Sequence, residues 1–131
     1  MRRLMVGLTA AVLLLSGKAF AFDLSGAWAS DRNLCDHVFS RKGSAVSFTE
    51  LSDLYGAGFI VNGDAIQGKS AKCSIRSRKQ EGDTTTLSAS CASAIMTDNY
   101  QFSYRVVDDN TLERLFPDIP NMTLKFSRCP F

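Results

Sequence analysis

Histidine is nearly missing from this 131-residue chain, with His37 alone. One imidazole cannot build a His-rich metal site, and no H-E-x-x-H occurs. No G-x-S-x-G is present to present a serine nucleophile. The four cysteines form no C-x-x-C pair, the spacing a zinc site would use. Proline appears three times, always after residue 116, and no repeat, linker or low-complexity tract interrupts the chain. Paired carboxylates remain conceivable, through Glu50, Asp53 or Asp64, but nothing singles them out. These absences point away from an enzyme and from any metal or cofactor, and toward one uninterrupted domain.

The chain opens with Arg2-Arg3, an apolar run from Leu4 to Leu15 and Ala19-Phe20-Ala21. A charged start, a short apolar stretch and an A-x-A site predict a secretory signal peptide over 1–21, too short for a lasting membrane anchor. Removing it takes Arg2, Arg3 and Lys18, so 12 of the 15 Lys+Arg face all 13 Asp+Glu, a net of −1. The formal +2 of the full chain is therefore misleading, and nucleic acid is not an expected partner. No stable membrane anchor is expected either, and the expected location is periplasmic or secreted.

The exported part, 22–131, has the length of one domain and carries all four cysteines. An even count in a small exported domain predicts two disulfides. Cys73 and Cys91 lie nine residues either side of Gly82 in the turn Glu81-Gly82-Asp83, which places them opposite each other across a long hairpin from Lys69 to Ala92. Cys35–Cys129 is the remaining pair. On the hairpin's dry face lie Cys73, Ile75, Leu87 and Cys91. Arg76 and Arg78 fall on its wet face, with Lys79 and neighbouring Lys69 and Lys72 extending a basic patch.

Elsewhere, short alternating runs are separated by turn signals. Val46 and Phe48 alternate with Ser47 and Thr49, Asn62-Gly63 reads as a hairpin turn, and Tyr100, Phe102, Tyr104 and Val106 share one face. Met122, Leu124 and Phe126 do the same near the end, which sends Cys129 outward. Between Ser30 and Phe39 the pattern fits a helical turn capped by Ser30 or Asp31, or a strand over Asp36 to Arg41. Eight or nine such strands predict an all-β fold: a small antiparallel meander β-barrel of about eight strands, stapled by disulfides, with a β-sandwich as the fallback.

The opening Leu24-Ser25-Gly26-Ala27-Trp28, with Cys35 seven residues later, resembles the first strand of calycin-type barrels. In lipocalins of that group, a Gly-x-Trp packs its indole across the closed end. The same run is similar to the small periplasmic Inh-type inhibitors of secreted metalloproteases, whose first strand also reads Leu-x-Gly-x-Trp before a cysteine. Tyr55 to Ile60 and Arg128 to Pro130 resemble segments of small exported bacterial β-proteins of unknown function. These likenesses imply compartment and fold.

For function, the expectation is a soluble, exported, non-enzymatic binding module whose partner is a protein or a small apolar ligand. The resemblances add two alternatives, an Inh-like protease inhibitor and a lipocalin-like carrier of small ligands. Candidate binding residues are Tyr55, in the glycine-flanked loop Leu51 to Gly58, and Arg76 and Arg78 on the hairpin. Trp28 and the stripe Tyr100, Phe102 and Tyr104 would line the cavity of a carrier, but a small barrel more commonly fills its interior with side chains.

Overall fold

A computed structural model describes residues 22–131; the signal peptide expected over 1–21 lies outside the described residues. The strands are β1 (Gly26–Ala29), β2 (Phe39–Lys42), β3 (Ala45–Phe48), β4 (Gly58–Asn62), β5 (Ala65–Gln67), β6 (Ala71–Glu81), β7 (Thr84–Ser93), β8 (Thr97–Asp108), β9 (Thr111–Leu115) and β10 (Thr123–Arg128). Eight of them close an antiparallel barrel in the order β1-β10-β9-β8-β7-β6-β5-β4, and β2-β3 stand apart as a two-stranded sheet. From β4 to β10 every neighbour in sequence is a neighbour in space, which is the meander. Closure leaves the barrel no sheet edge, and it excludes the sandwich.

Alternation decides what fills the barrel. Trp28, Phe59, Val61, Ile66, Ile75, Leu87, Tyr104, Leu112 and Phe126 all face inward and are buried. Phe59 stands at the centre. Its ring stacks on Trp28 at 6.2 Å between centroids and meets Phe126 edge-on at 5.0 Å. Burying a side chain of this size contributes roughly 1.5–3 kcal/mol, so this aromatic cluster dominates the interior.

A second core lies outside the wall. Between β1 and β4 the chain leaves the barrel as a 3₁₀ turn, a one-turn helix α1 (Cys35–Val38) and the β2-β3 hairpin. Both readings of Ser30 to Phe39 hold in part. Asp31 caps the turn by accepting from the Asn33 N–H at 2.9 Å, and a strand starts at Phe39. Val38 and Phe39 then press on the outer side of β1, which explains why Ala27 and Ala29 are buried on both flanks of Trp28. Gly58 makes that approach possible, because a Cβ there would sit 2.9 Å from the Phe39 ring.

Both expected disulfides are present. Cys35–Cys129 ties α1 to the outer wall just after β10 ends, with Cys129 facing outward as alternation requires. Cys73 pairs directly with Cys91 on the inner face. The hairpin reaches that register by an unexpected route. Its turn has two residues, not three: Glu81 pairs with Thr84 around Gly82-Asp83, with Gly82 at φ +60. An unbroken ladder from that turn would set Cys73 opposite Ala92. A bulge between Ile75 and Ser77 takes up Arg76 as an extra residue and restores the pairing.

The bulge also corrects the face assignment. Arg76 stays on the outer side, but Arg78 now lies opposite Leu87, on the inner face near the rim. Another turn is displaced by one residue: the second hairpin bends at Gly63-Asp64, not at Asn62-Gly63, since Asn62 already pairs with Ala65.

Candidate functional site

The two ends of the barrel differ in how they are finished. At one end lie the tight turns Gly63-Asp64, Gly82-Asp83 and Asp109-Asn110 and the chain entering β1. Arg128 closes it. Its guanidinium sits 4.4 Å from the Trp28 ring and 5.7 Å from Phe22. It donates to the carbonyls of Asp23 and Asp109, each at 3.0 Å, and to that of Ser25. A cation over an indole with three carbonyl partners is a fixed plug, already committed. Asp23 accepts the Ser25 backbone N–H at 2.9 Å, which holds its carboxyl below the ordinary range, with Arg128 adding in the same direction. Asp108 is lowered the same way by the Asn110 N–H.

At the opposite end the links are longer and apolar side chains are exposed. Leu51, Leu54 and Tyr55 precede β4, Ile95 and Met96 join β7 to β8, and Ile119 and Met122 lie between β9 and β10. Tyr100 is 45% exposed near the start of β8. Tyr55, a predicted binding residue, belongs to this end, on a 3₁₀ turn (Ser52–Tyr55) rather than an irregular loop. Its ring stacks on the exposed His37 at 4.6 Å, so part of its surface is covered from within the molecule. Tyr104, farther along the Tyr100 stripe, is buried among core side chains, and burial raises its hydroxyl pKa.

Arg76 belongs to a third region. On the barrel's outer side an open groove of about 1330 Å³ runs across β1, β4, β5, β6, β7 and the start of β8. The β2-β3 hairpin overhangs it through Ser44, Ala45 and Val46, and Phe131 stands beside them. The opposite bank carries Lys72 and Arg76 on the long hairpin. Arg76 Nε donates to Ser90 Oγ at 3.2 Å, and Ser90 Oγ donates to Asn99 Oδ1 at 3.1 Å, a polar chain across three strands.

The three predicted binding residues therefore do not converge. Arg78 turns to the tight-turn end, where it donates to Gly63 O at 2.8 Å and pairs with Asp64 at 2.9 Å. Lys69 likewise leaves the expected basic patch, donating to Glu50 O at 2.8 Å and lying 3.7 Å from Asp53. Lys79 pairs with Glu81 at 3.0 Å. Of that patch only Lys72 and Arg76 remain without an acidic partner among the described residues, and both line the groove.

Sequence reasoning missed the overhang that makes a groove of this face. A signal was available in Gly58, whose missing side chain marks where Val38 and Phe39 press against β4. No protein-family model, curated protein or solved structure matches the chain.

Proposed function

We propose that this is an exported, non-enzymatic binding module, periplasmic or secreted, that receives an anionic partner in the groove under the β2-β3 hairpin. The observation that carries this reading is where the unpaired cations sit. Among the described residues, Lys69, Arg78, Lys79 and Arg105 are in ion pairs, and Arg114 and Arg128 lie on aromatic rings. Six cations remain. Two of them, Lys72 and Arg76, line one bank of the groove, and Arg41 and Lys42 lie on the overhanging hairpin, paired with the lining residues Val46 and Ala45. A cluster of one sign beside a concave surface attracts the opposite sign. Asp98 is the one acid lining the groove, and it accepts its neighbour's Asn99 N–H at 2.8 Å.

Export is supported by the sequence of residues 1–21 and by two disulfides, which suit a non-reducing compartment. Among the described residues no helix is long and apolar enough to cross a membrane. Two alternatives fit less well. A carrier needs an internal cavity, whereas the interior is occupied by the Trp28, Phe59, Tyr104 and Phe126 rings. An Inh-like inhibitor inserts a trunk preceding its first strand, whereas Phe22 folds back onto Trp28 at 6.4 Å.

Ion-exchange chromatography tests the reading. Residues 22–131 carry 12 Lys+Arg against 13 Asp+Glu, so by net charge the exported chain should pass a sulfonate resin at pH 7. Retention at low salt is expected nevertheless, lost in K72E/R76E and kept in the distant control R32E/K125E. Equal elution of the two double variants would overturn the proposal.

A further inference from the structure

We infer that the partner in the groove is a carboxylated or sulfated oligosaccharide rather than an acidic peptide; this rests on the groove reading above. Three features argue for it independently of charge. The groove crosses six neighbouring strands, an arc of roughly 24 Å at the ordinary strand spacing, so it suits an extended chain that follows the curved wall.

Its polar groups are side chains. The barrel is closed, and the backbone groups beneath the groove are already paired in the ladder. A peptide held by strand addition would have only the short uncovered margin of the β2-β3 sheet to use. Asn62, Gln67 and Asn99 instead offer amides that both donate and accept, which matches the hydroxyl groups of a sugar. Ser74 and Ser90 lie between them.

The third feature is Phe131. Its ring is 40% exposed, braced edge-on against Phe39 at 6.3 Å, and it stands on the bank facing Lys72 and Arg76. An exposed ring gives the apolar C–H face of a sugar a surface to lie on. The cations opposite then meet the acidic substituent, with the Arg76 guanidinium able to take a carboxylate or sulfate through two parallel hydrogen bonds.

Calorimetric titration of the disulfide-bonded protein tests this, with oligogalacturonate, a neutral maltooligosaccharide of equal length and oligoglutamate as probes. Oligogalacturonate is expected to bind most tightly, and to lose about tenfold in affinity in R76A and again in F131A. Because Phe131 also packs on Phe39, N99A, a change at an exposed position, serves as the second test of sugar recognition and is expected to weaken binding in the same direction. Oligoglutamate binding as tightly as oligogalacturonate, with R76A harmful and both F131A and N99A silent, would overturn the inference and leave the groove reading standing. No binding of either anionic probe would overturn both.

Discussion

The two ends of this barrel are built from the same meander and finished in opposite ways. One has two-residue turns, carboxylates that accept the backbone N–H two residues further on, and Arg128 seated on Trp28. The other has longer links and holds eight of the ten exposed large hydrophobic residues among those described, the remaining two being Val107 near the plugged end and Phe131 in the side groove. An end locked by short turns and a hydrogen-bonded plug contributes stability. Apolar side chains left in water contribute little to it, and a cluster of them marks a surface that other molecules can meet. Stability and surface display are thus separated along the barrel axis, with the side groove between them.

The sharpest way to break that contrast is at the plug. Trp28→Ala removes a fully buried indole and should cost about 4 kcal/mol in urea denaturation, with the aromatic cluster around Phe59 left unsupported. Arg128→Ala, which strips the cation and three carbonyl bonds but leaves the indole, should cost about 2 kcal/mol. A loss below 0.5 kcal/mol for Arg128→Ala, by order of magnitude, would mean that the plug is decorative.

Acid should act on the same end, more gently. Asp23 and Asp108 are held below the ordinary carboxyl range by backbone donors. Their contribution is present above the unfolded value near about 3.9 and is lost as pH falls through the lower folded values. Stability measured from pH 5 downward should therefore drop less steeply in D23N/D108N than in the parent. An identical slope would remove the carboxylates from the account.

The smallest effect belongs to the loop-bearing end. Ile95, 90% exposed, should change stability by no more than about 0.5 kcal/mol when replaced by serine. A larger loss would show that this end is packed in solution and that the two ends are finished alike.

Much of the fold was legible because one face of nearly every strand is dry. Tyr104 and Phe126 are buried where alternation puts them, and Cys129 points outward for the same reason. That alternation also sends Arg128 inward beside Phe126, so the plug could have been read from the pattern that placed its neighbours. Local features were harder. Ser30 to Phe48 folds against the outside of β1, a tertiary choice that leaves Ala27 and Ala29 looking like ordinary small residues. The site was less legible still. Arg76 and Arg78 have the same chemistry and a spacing of two, and only the bulge sends them to different faces. A turn shortened by one residue and a strand lengthened by one leave the cysteine register unchanged, so the cysteines alone could not reveal either.

That bulge has a consequence for how freely the groove can be altered. Across the long hairpin each paired residue answers to one on the facing strand, and a change on one side invites a compensating change on the other. Arg76 is the surplus residue, with no counterpart in the backbone register of β7 and only a side-chain bond to Ser90 across it. Exchanging its side chain for a shorter, neutral or acidic one gives up that exposed bond to Ser90 and leaves the ladder and the Cys73–Cys91 disulfide in register. The guanidinium facing the groove thus sits at a position where preference for one partner over another can drift by single steps while the scaffold stays as it is.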